Sequence, residues 1–366
     1  MNTISVIIPV YNASKHIHRT VKIINKSTKI PNEILLINDG STDNSLQLCQ
    51  KLEQEYQNVK VFNKPNGGVA DARNYGLAHA AGDYVCFVDQ DDYVDSNMYE
   101  NVLLEAEKKH SDVVMVSTGQ IVNNERIPFE QLKNGFFSDD EVKQKLLLSF
   151  LFRGYEQIKR DDECSITSSI WKCVIKRSLF EDNDIRFRRF ISYEDDYIMM
   201  AALLCYAKKV SMMEYIGYYW LINRESESHK AKYISDYGAK TFQLHEYMIA
   251  MLESAGIDKK IVDIYSDQLL FEKTIDVISN AYSSINSTNR KQRTLEVVDY
   301  IKKANLFEMN LDNIKPLSNY HRLKVLFVSV QKKNISQLIR RVSQFVWLEN
   351  KIHGNQVIMK IINSRK

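Results

Sequence analysis

Apolar runs of five to seven residues alternate with longer stretches of helical spacing through the first 120 residues of the chain. Residues 4–10, 33–38, 59–63 and 84–89 read as strands, and 13–27, 43–57 and 70–81 as the helices between them. This alternation predicts an α/β fold with a mostly parallel sheet flanked by helices, whose ligands sit beyond the strand C-termini. A helix over 98–109, a strand over 112–122, a loop over 130–135 and helices over 138–152, 165–180 and 193–206 follow, then an extended aromatic-rich segment over 209–220. From about residue 231 the spacing is helical. The expected organisation is an α/β domain over 1–230 and a mainly helical C-terminal domain over 231–366.

With 366 residues, 44% of them hydrophobic and 26% charged, the chain can bury a sizeable core. The apolar run 4–10 is too short for a signal-peptide core, and no stretch approaches the ~20 apolar residues of a membrane span, so a cytoplasmic location is expected. Cys49, Cys86, Cys164, Cys173 and Cys205 are odd in number and lack C-x-x-C spacing, which argues against a disulfide framework or a zinc site. A net charge of +3 hides an asymmetry: residues 315–366 hold eleven Lys or Arg and one acid, Glu349. These charges alternate with Leu323, Val325, Leu326, Phe327 and Val328, then Leu338, Ile339, Val342, Phe345, Val346 and Trp347. The pattern suits peripheral contact with the inner face of an anionic membrane, or equally a packing or self-association module with a solvated basic face. No nucleic-acid motif accompanies it.

Candidate chemistry begins where the run Tyr84, Val85, Cys86, Phe87, Val88 delivers Asp89, Gln90, Asp91 and Asp92. Asp89 and Asp91, two apart, offer hard oxygen donors to Mg²⁺ or Mn²⁺, directly or through water. The same residues also suit a capped turn, with Asp95 or Ser96 opening the helix over 98–109.

Four further segments stand in order with this loop: Val6 to Asn12 (VIIPVYN), Ile37 to Asp43 (INDGSTD), Asn66 to Gly76 (NGGVADARNYG) and Tyr193 to Asp196 (YEDD). Together the five motifs resemble the bacterial family 2 glycosyltransferases of the GT-A fold, a Rossmann-like architecture, over roughly residues 1–225. The resemblance implies a nucleotide-sugar-binding part over about 1–120 and an acceptor part over about 121–230. It implies a UDP-sugar donor held by Pro9, Tyr11, Asn12, Asp39, Asn66, Gly68, Arg73, Asp89 and Gln90, with Tyr11 stacking on uracil and Asp39 accepting from the uracil N3–H. Many relatives carry a second aspartate where this chain has Asn38. Mn²⁺ or Mg²⁺ would rest on Asp91 and Asp89, completed by His229, which lies with Arg224 and Ser228 in a segment that closes over the diphosphate. Asp195 would be the base, Asp92 would orient the loop or touch the sugar, and Trp171, Lys172 and Glu194 would line the sugar and acceptor pocket with it.

The implied reaction is inverting transfer of a single hexose or N-acetylhexosamine to a hydroxyl of a growing surface glycan, free or lipid-linked, in capsule, lipooligosaccharide or exopolysaccharide assembly. The Q-x-x-R-W sequence of processive synthases is absent. The alternatives are extension of a protein-linked glycan and a catalytically silent UDP-sugar-binding scaffold. Without the resemblance, each residue keeps an ordinary reading: Tyr11 as a strand-end core aromatic, Asp39 as a turn, Arg73 as a paired surface arginine, the acids at 194–196 as a helix N-terminus, and His229 as a solvated loop residue.

Overall fold

The computed structural model describes residues 2–123, 125–152, 166–191, 194–222, 233–283, 286, 288–314, 321–331, 333, 336–341 and 344. The chain divides into two units, residues 1–151 with 160–229 and residues 152–159 with 230–366.

In the first unit, β1 (Ile4–Val10), β2 (Glu33–Asp39), β3 (Val59–Lys64) and β4 (Tyr84–Phe87) alternate with α1 (Ile17–Ile24), α2 (Ser45–Glu55) and α3 (Val69–His79). All pairings among these strands are parallel. Strands β1 and β2 are almost wholly buried, as continuous apolar runs covered on both faces should be. Helix α3 lies close against β1: a Cβ on Gly76 would stand 2.4 Å from Ile7 Cγ2, so glycine permits the contact.

After β5 (Tyr93–Val94) and α4 (Met98–Lys109), the sheet turns mixed. β6 (Val113–Val122) is followed by β7 (Glu125–Glu130) and β8 (Gly135–Ser138), then α5 (Leu148–Leu151), β9 (Cys173–Lys176), α6 (Arg177–Asp182), α7 (Asp195–Tyr206) and β10 (Lys209–Leu221). The ten-stranded sheet runs β3-β2-β1-β4-β9-β6-β10-β5, with β7 beside β6 and β8 beside β10. The stretch read as one helix over 165–180 is instead a 3₁₀ turn (Ile170–Lys172), strand β9 and helix α6. β9 fills the slot between β4 and β6, antiparallel to both. Burial on both faces makes its first three residues uniformly apolar, a pattern that local periodicity cannot separate from a helix. β7 and β8 flank the expected loop and were not read from sequence.

The second unit is helical: α8 (Tyr237–Ser254), α9 (Lys259–Ala281), α10 (Arg290–Lys303), α11 (Leu311–Ile314) and α12 (His321–Gln331). Asp258 caps α9 by accepting from Lys260 N (2.9 Å), and Asn289 caps α10 by accepting from Gln292 N (3.0 Å). Leu326, Phe327, Leu338 and Ile339 are buried in its core with Phe271, Ile278 and Tyr300. These four apolar positions of the basic segment therefore serve internal packing and do not form a membrane-facing stripe. Val342, Phe345, Val346 and Trp347 lie outside the described residues, as does Cys164. Among the described residues no helix is long and apolar enough to cross a membrane, and Cys49, Cys86, Cys173 and Cys205 are buried free thiols.

Candidate active site

The parallel ladder ends with Val88 N donating to Ile7 O (3.0 Å), and the acidic loop starts there. Tyr218 on β10 fixes it from the far side of the sheet: its hydroxyl accepts from Asp89 N (3.1 Å) and donates to Asp92 Oδ2 (2.7 Å). Leu221 N donates to Asp92 Oδ1 (2.8 Å). With both oxygens engaged and the residue 5% exposed, Asp92 anchors the loop and is not open to a sugar, the first of the two roles expected from sequence and not the second. Burial, with Asp89 and Asp91 nearby, pushes its carboxyl well above the usual range. From α1, Arg19 Nη2 donates to Asp91 O and Thr20 Oγ1 donates to Gln90 O (2.9 Å). The Asp91 carboxyl is also raised, by burial and by Asp89, against the opposing charges of His16 and Arg19.

Arg73 on α3 is the centre of the cluster. Its guanidinium, almost wholly buried, donates through Nη2 to Asp89 Oδ1 (3.1 Å) and through Nη1 to Asp195 Oδ2 (3.2 Å) and Asp196 Oδ1 (2.6 Å). One cation thus joins the acidic loop to the first turn of α7. Burial of a guanidinium is tolerated because three carboxylates compensate it, and they hold its protonation above the ordinary arginine range. Asp196 also accepts from Ile170 N (3.4 Å), tying α7 to the 3₁₀ turn. Burial outweighs Arg73 and, with Asp195 and Asp89, pushes the Asp196 carboxyl up to about 6.

That shift has a definite sign. Between about pH 4 and 6 the folded chain holds a proton on Asp196 that the unfolded chain has lost, so this group's contribution to stability is lost as pH rises through that window. Relative to wild type, Asp196→Asn should gain stability on going from pH 4.5 to 6.5 in urea titrations. A difference independent of pH would contradict the assignment.

A second cluster gathers at the end of β2. Asp39, at the C-terminus of β2, accepts from Lys64 Nζ (2.6 Å) and Gly67 N (2.9 Å) on Oδ1 and from Gly68 N (2.8 Å) on Oδ2. Asn66 Nδ2 donates to Asp39 O (2.8 Å). Gly68 has φ +88°, a left-handed conformation that glycine supplies at little cost, and it leads into α3. Asp39 thereby shapes the loop that carries α3 and Arg73 to the site.

At the end of β1, Gln90 brackets the exposed Tyr11: Tyr11 N donates to Gln90 Oε1 (2.8 Å) and Gln90 Nε2 donates to Tyr11 O (3.1 Å). Asn12 Oδ1 accepts from Thr42 N (2.8 Å), joining the loops after β1 and β2. Pro9 lies within β1 opposite Ile37.

The acceptor-side residues divide. Trp171 stacks on Tyr218 with ring centroids 4.4 Å apart, and Glu194 precedes α7, its carbonyl accepting from Ile198 N (2.9 Å). Lys172 is fully buried, with Nζ 2.6 and 2.7 Å from the two Glu130 oxygens and 3.0 Å from Thr167 Oγ1. It is an internal ion pair and not an acceptor contact, which corrects the reading from sequence. His229, Tyr193, Arg224 and Ser228 lie outside the described residues. Tyr218, Glu130 and Arg19 were not singled out from sequence, whereas Asp196 stood in the motif beside Asp195.

A parallel α/β half thus carries an acidic loop at its strand ends, locked by arginine to a second acidic pair. Residues 5–180, just under half of the chain, match Glycosyl transferase family 2. It is 27% identical over 83% of its length to the cholesterol galactosyltransferase of Borreliella burgdorferi, covering 85% of that protein. It is 25% identical over 88% of its length to the poly(ribitol-phosphate) β-N-acetylglucosaminyltransferase TarS of Staphylococcus aureus, spanning 54% of that longer protein. The fold superposes on the crystal structure of S. aureus TarS 1–349 in complex with UDP-GlcNAc with a TM-score of 0.67 and 22% identity, covering 93% of this chain and 90% of that one.

Proposed function

We propose that the chain transfers one hexose or N-acetylhexosamine from a UDP-sugar to a hydroxyl of a surface glycan or lipid-linked saccharide, with inversion at the anomeric carbon. The observation carrying this reading is the Arg73 cluster, which sets Asp195 and the acidic loop in direct contact with one guanidinium. Arg73 engages Oδ2 of Asp195; the carboxylate would take the acceptor hydroxyl proton as the sugar–phosphate bond breaks. No protein nucleophile is needed, so the configuration inverts. Tyr11, exposed at the mouth and bracketed by Gln90, would stack on the base, and Asp39 would hold the loop beside it.

A divalent cation suits the donor set. Asp89 and Asp91 are hard carboxylate ligands on one loop, while Asp92 is committed to Tyr218 and Leu221. Among the described residues no three His, Cys, Asp or Glu side chains form a metal-binding group. Mg²⁺ or Mn²⁺ commonly takes one or two carboxylates together with waters and substrate phosphates. Bound there, it would neutralise the departing diphosphate.

The test is UDP release from a panel of UDP-sugars with Mn²⁺, with and without EDTA. One donor should turn over, with loss on the order of 10²–10³-fold in EDTA or in Asp91→Ala, the several kcal/mol that a metal contributes to transition-state charge. Turnover unaffected by both would reject the metal assignment, and absence of UDP binding would reject the donor.

A further inference from the structure

Among the described residues β7 is an edge strand, bonded only to β6, and five of its six residues are exposed. Ile127 and Phe129 alternate onto one face of it and are 43% and 52% exposed, too open for core residues. Phe129 meets Trp220 of β10 edge to face, with centroids 5.6 Å apart, and the indole Nε1–H of Trp220 has no partner among the described residues. Tyr218 and Trp220 project to the same face of β10, and Trp171 stacks on Tyr218. The strand carrying Trp220 is therefore tied to the acidic loop, because Tyr218 and Leu221, on either side of Trp220, hold the Asp92 carboxylate at 2.7 and 2.8 Å.

We infer that Phe129 and Trp220 form an acceptor subsite that packs against the apolar C–H face of a pyranose ring and aims the acceptor saccharide at the reacting centre. This inference rests on the proposed transfer reaction. A saccharide fits better than a lipid chain: the patch is small, built of ring faces and edges, and shares its face of β7 with the exposed carboxylate residue Glu125. An acyl chain gains its affinity one methylene at a time along an extended groove. Phe129 also adjoins Glu130, the partner of Lys172, so the strand presenting it is pinned to the turn that carries Trp171.

The experiment titrates the full chain, with UDP and Mg²⁺ present, with methyl glycosides of glucose, galactose and N-acetylglucosamine, read by saturation-transfer NMR. Ring C–H protons of at least one glycoside should receive saturation. Phe129→Ala should raise its Kd about five- to tenfold, the worth of one stacked ring. Phe136→Ala, removing an exposed aromatic on β8, should leave Kd unchanged, and UDP affinity should be equal in all three proteins. An unchanged Kd in Phe129→Ala overturns the subsite, as does wild type that binds UDP but no glycoside at tens of millimolar. Loss of binding to phosphatidylglycerol vesicles in place of glycosides would assign the patch to a lipid surface and overturn it as well. Failure of the wild type to bind UDP would sink the donor reading, and this inference with it, through a separate readout.

Discussion

Asp195→Asn should lower transfer by about 10²–10⁴-fold, the usual contribution of a positioned general base, while leaving the donor KM close to wild type. The substitution removes the proton acceptor but keeps an oxygen for Arg73 Nη1, which also holds Asp196 at 2.6 Å, and Arg73 Nη2 still holds Asp89 at 3.1 Å. The cluster should therefore keep its shape, and the loss should fall on kcat. Initial rates of UDP release at saturating donor, together with UDP affinity by calorimetry, separate the two effects. Transfer at wild-type rates in Asp195→Asn would falsify the assignment of the base. A large rise in donor KM would show instead that Asp195 acts by holding Arg73.

The largest effect on stability should come from a residue that takes no part in the reaction. Glu130→Ala leaves the Lys172 ammonium buried with only the Thr167 hydroxyl beside it, and breaking such a pair costs about 3–5 kcal/mol. Burial already pushes the lysine below its ordinary range even with Glu130 in place, so the loss of hydration outweighs the attraction of its partner. The double variant Glu130→Leu with Lys172→Met removes both charges at similar volume and should recover most of the loss. Urea denaturation of the two singles and the double measures the coupling. Additive singles would show that the pair is not energetically joined.

The first half of the fold was legible because local and global demands agree there. β1 and α4 have the bounds their apolar spacing predicts, since a doubly covered parallel strand must be apolar throughout and a surface helix must be amphipathic. Beyond residue 120 the demands part. β7 reads ERIPFE, with charges and Pro128 that argue against a strand, yet an edge strand tolerates both, and the ladder is irregular between Thr118 and Gly119. β9 is defined by the slot it fills, which no local window contains.

The same divide runs through the site. The spacing of Asp89, Asp91 and Asp92 marks an acidic loop but not which member is withdrawn into the protein, because that choice is made by Tyr218. Lys172 resembles an exposed cation until Glu130 is seen beside it. Arg73 could be placed near phosphates from its motif, but its simultaneous hold on Asp89, Asp195 and Asp196 depends on α7 arriving from far along the chain.

The late insertion of β9 also sets an order of assembly. β1 to β4 can pair as soon as about the first ninety residues have left the ribosome, but the neighbour of β4 on its other edge is a strand at positions 173–176, and the partners of Arg73 on α7 lie further on still. Until they emerge, the nascent chain exposes an unpaired apolar edge and a cation without its full set of counter-charges, the kind of surface that chaperones and stray strands recognise. Truncations between about residue 90 and 176 should therefore be aggregation-prone, and the enzyme acquires its chemistry only when synthesis of the first unit is nearly complete.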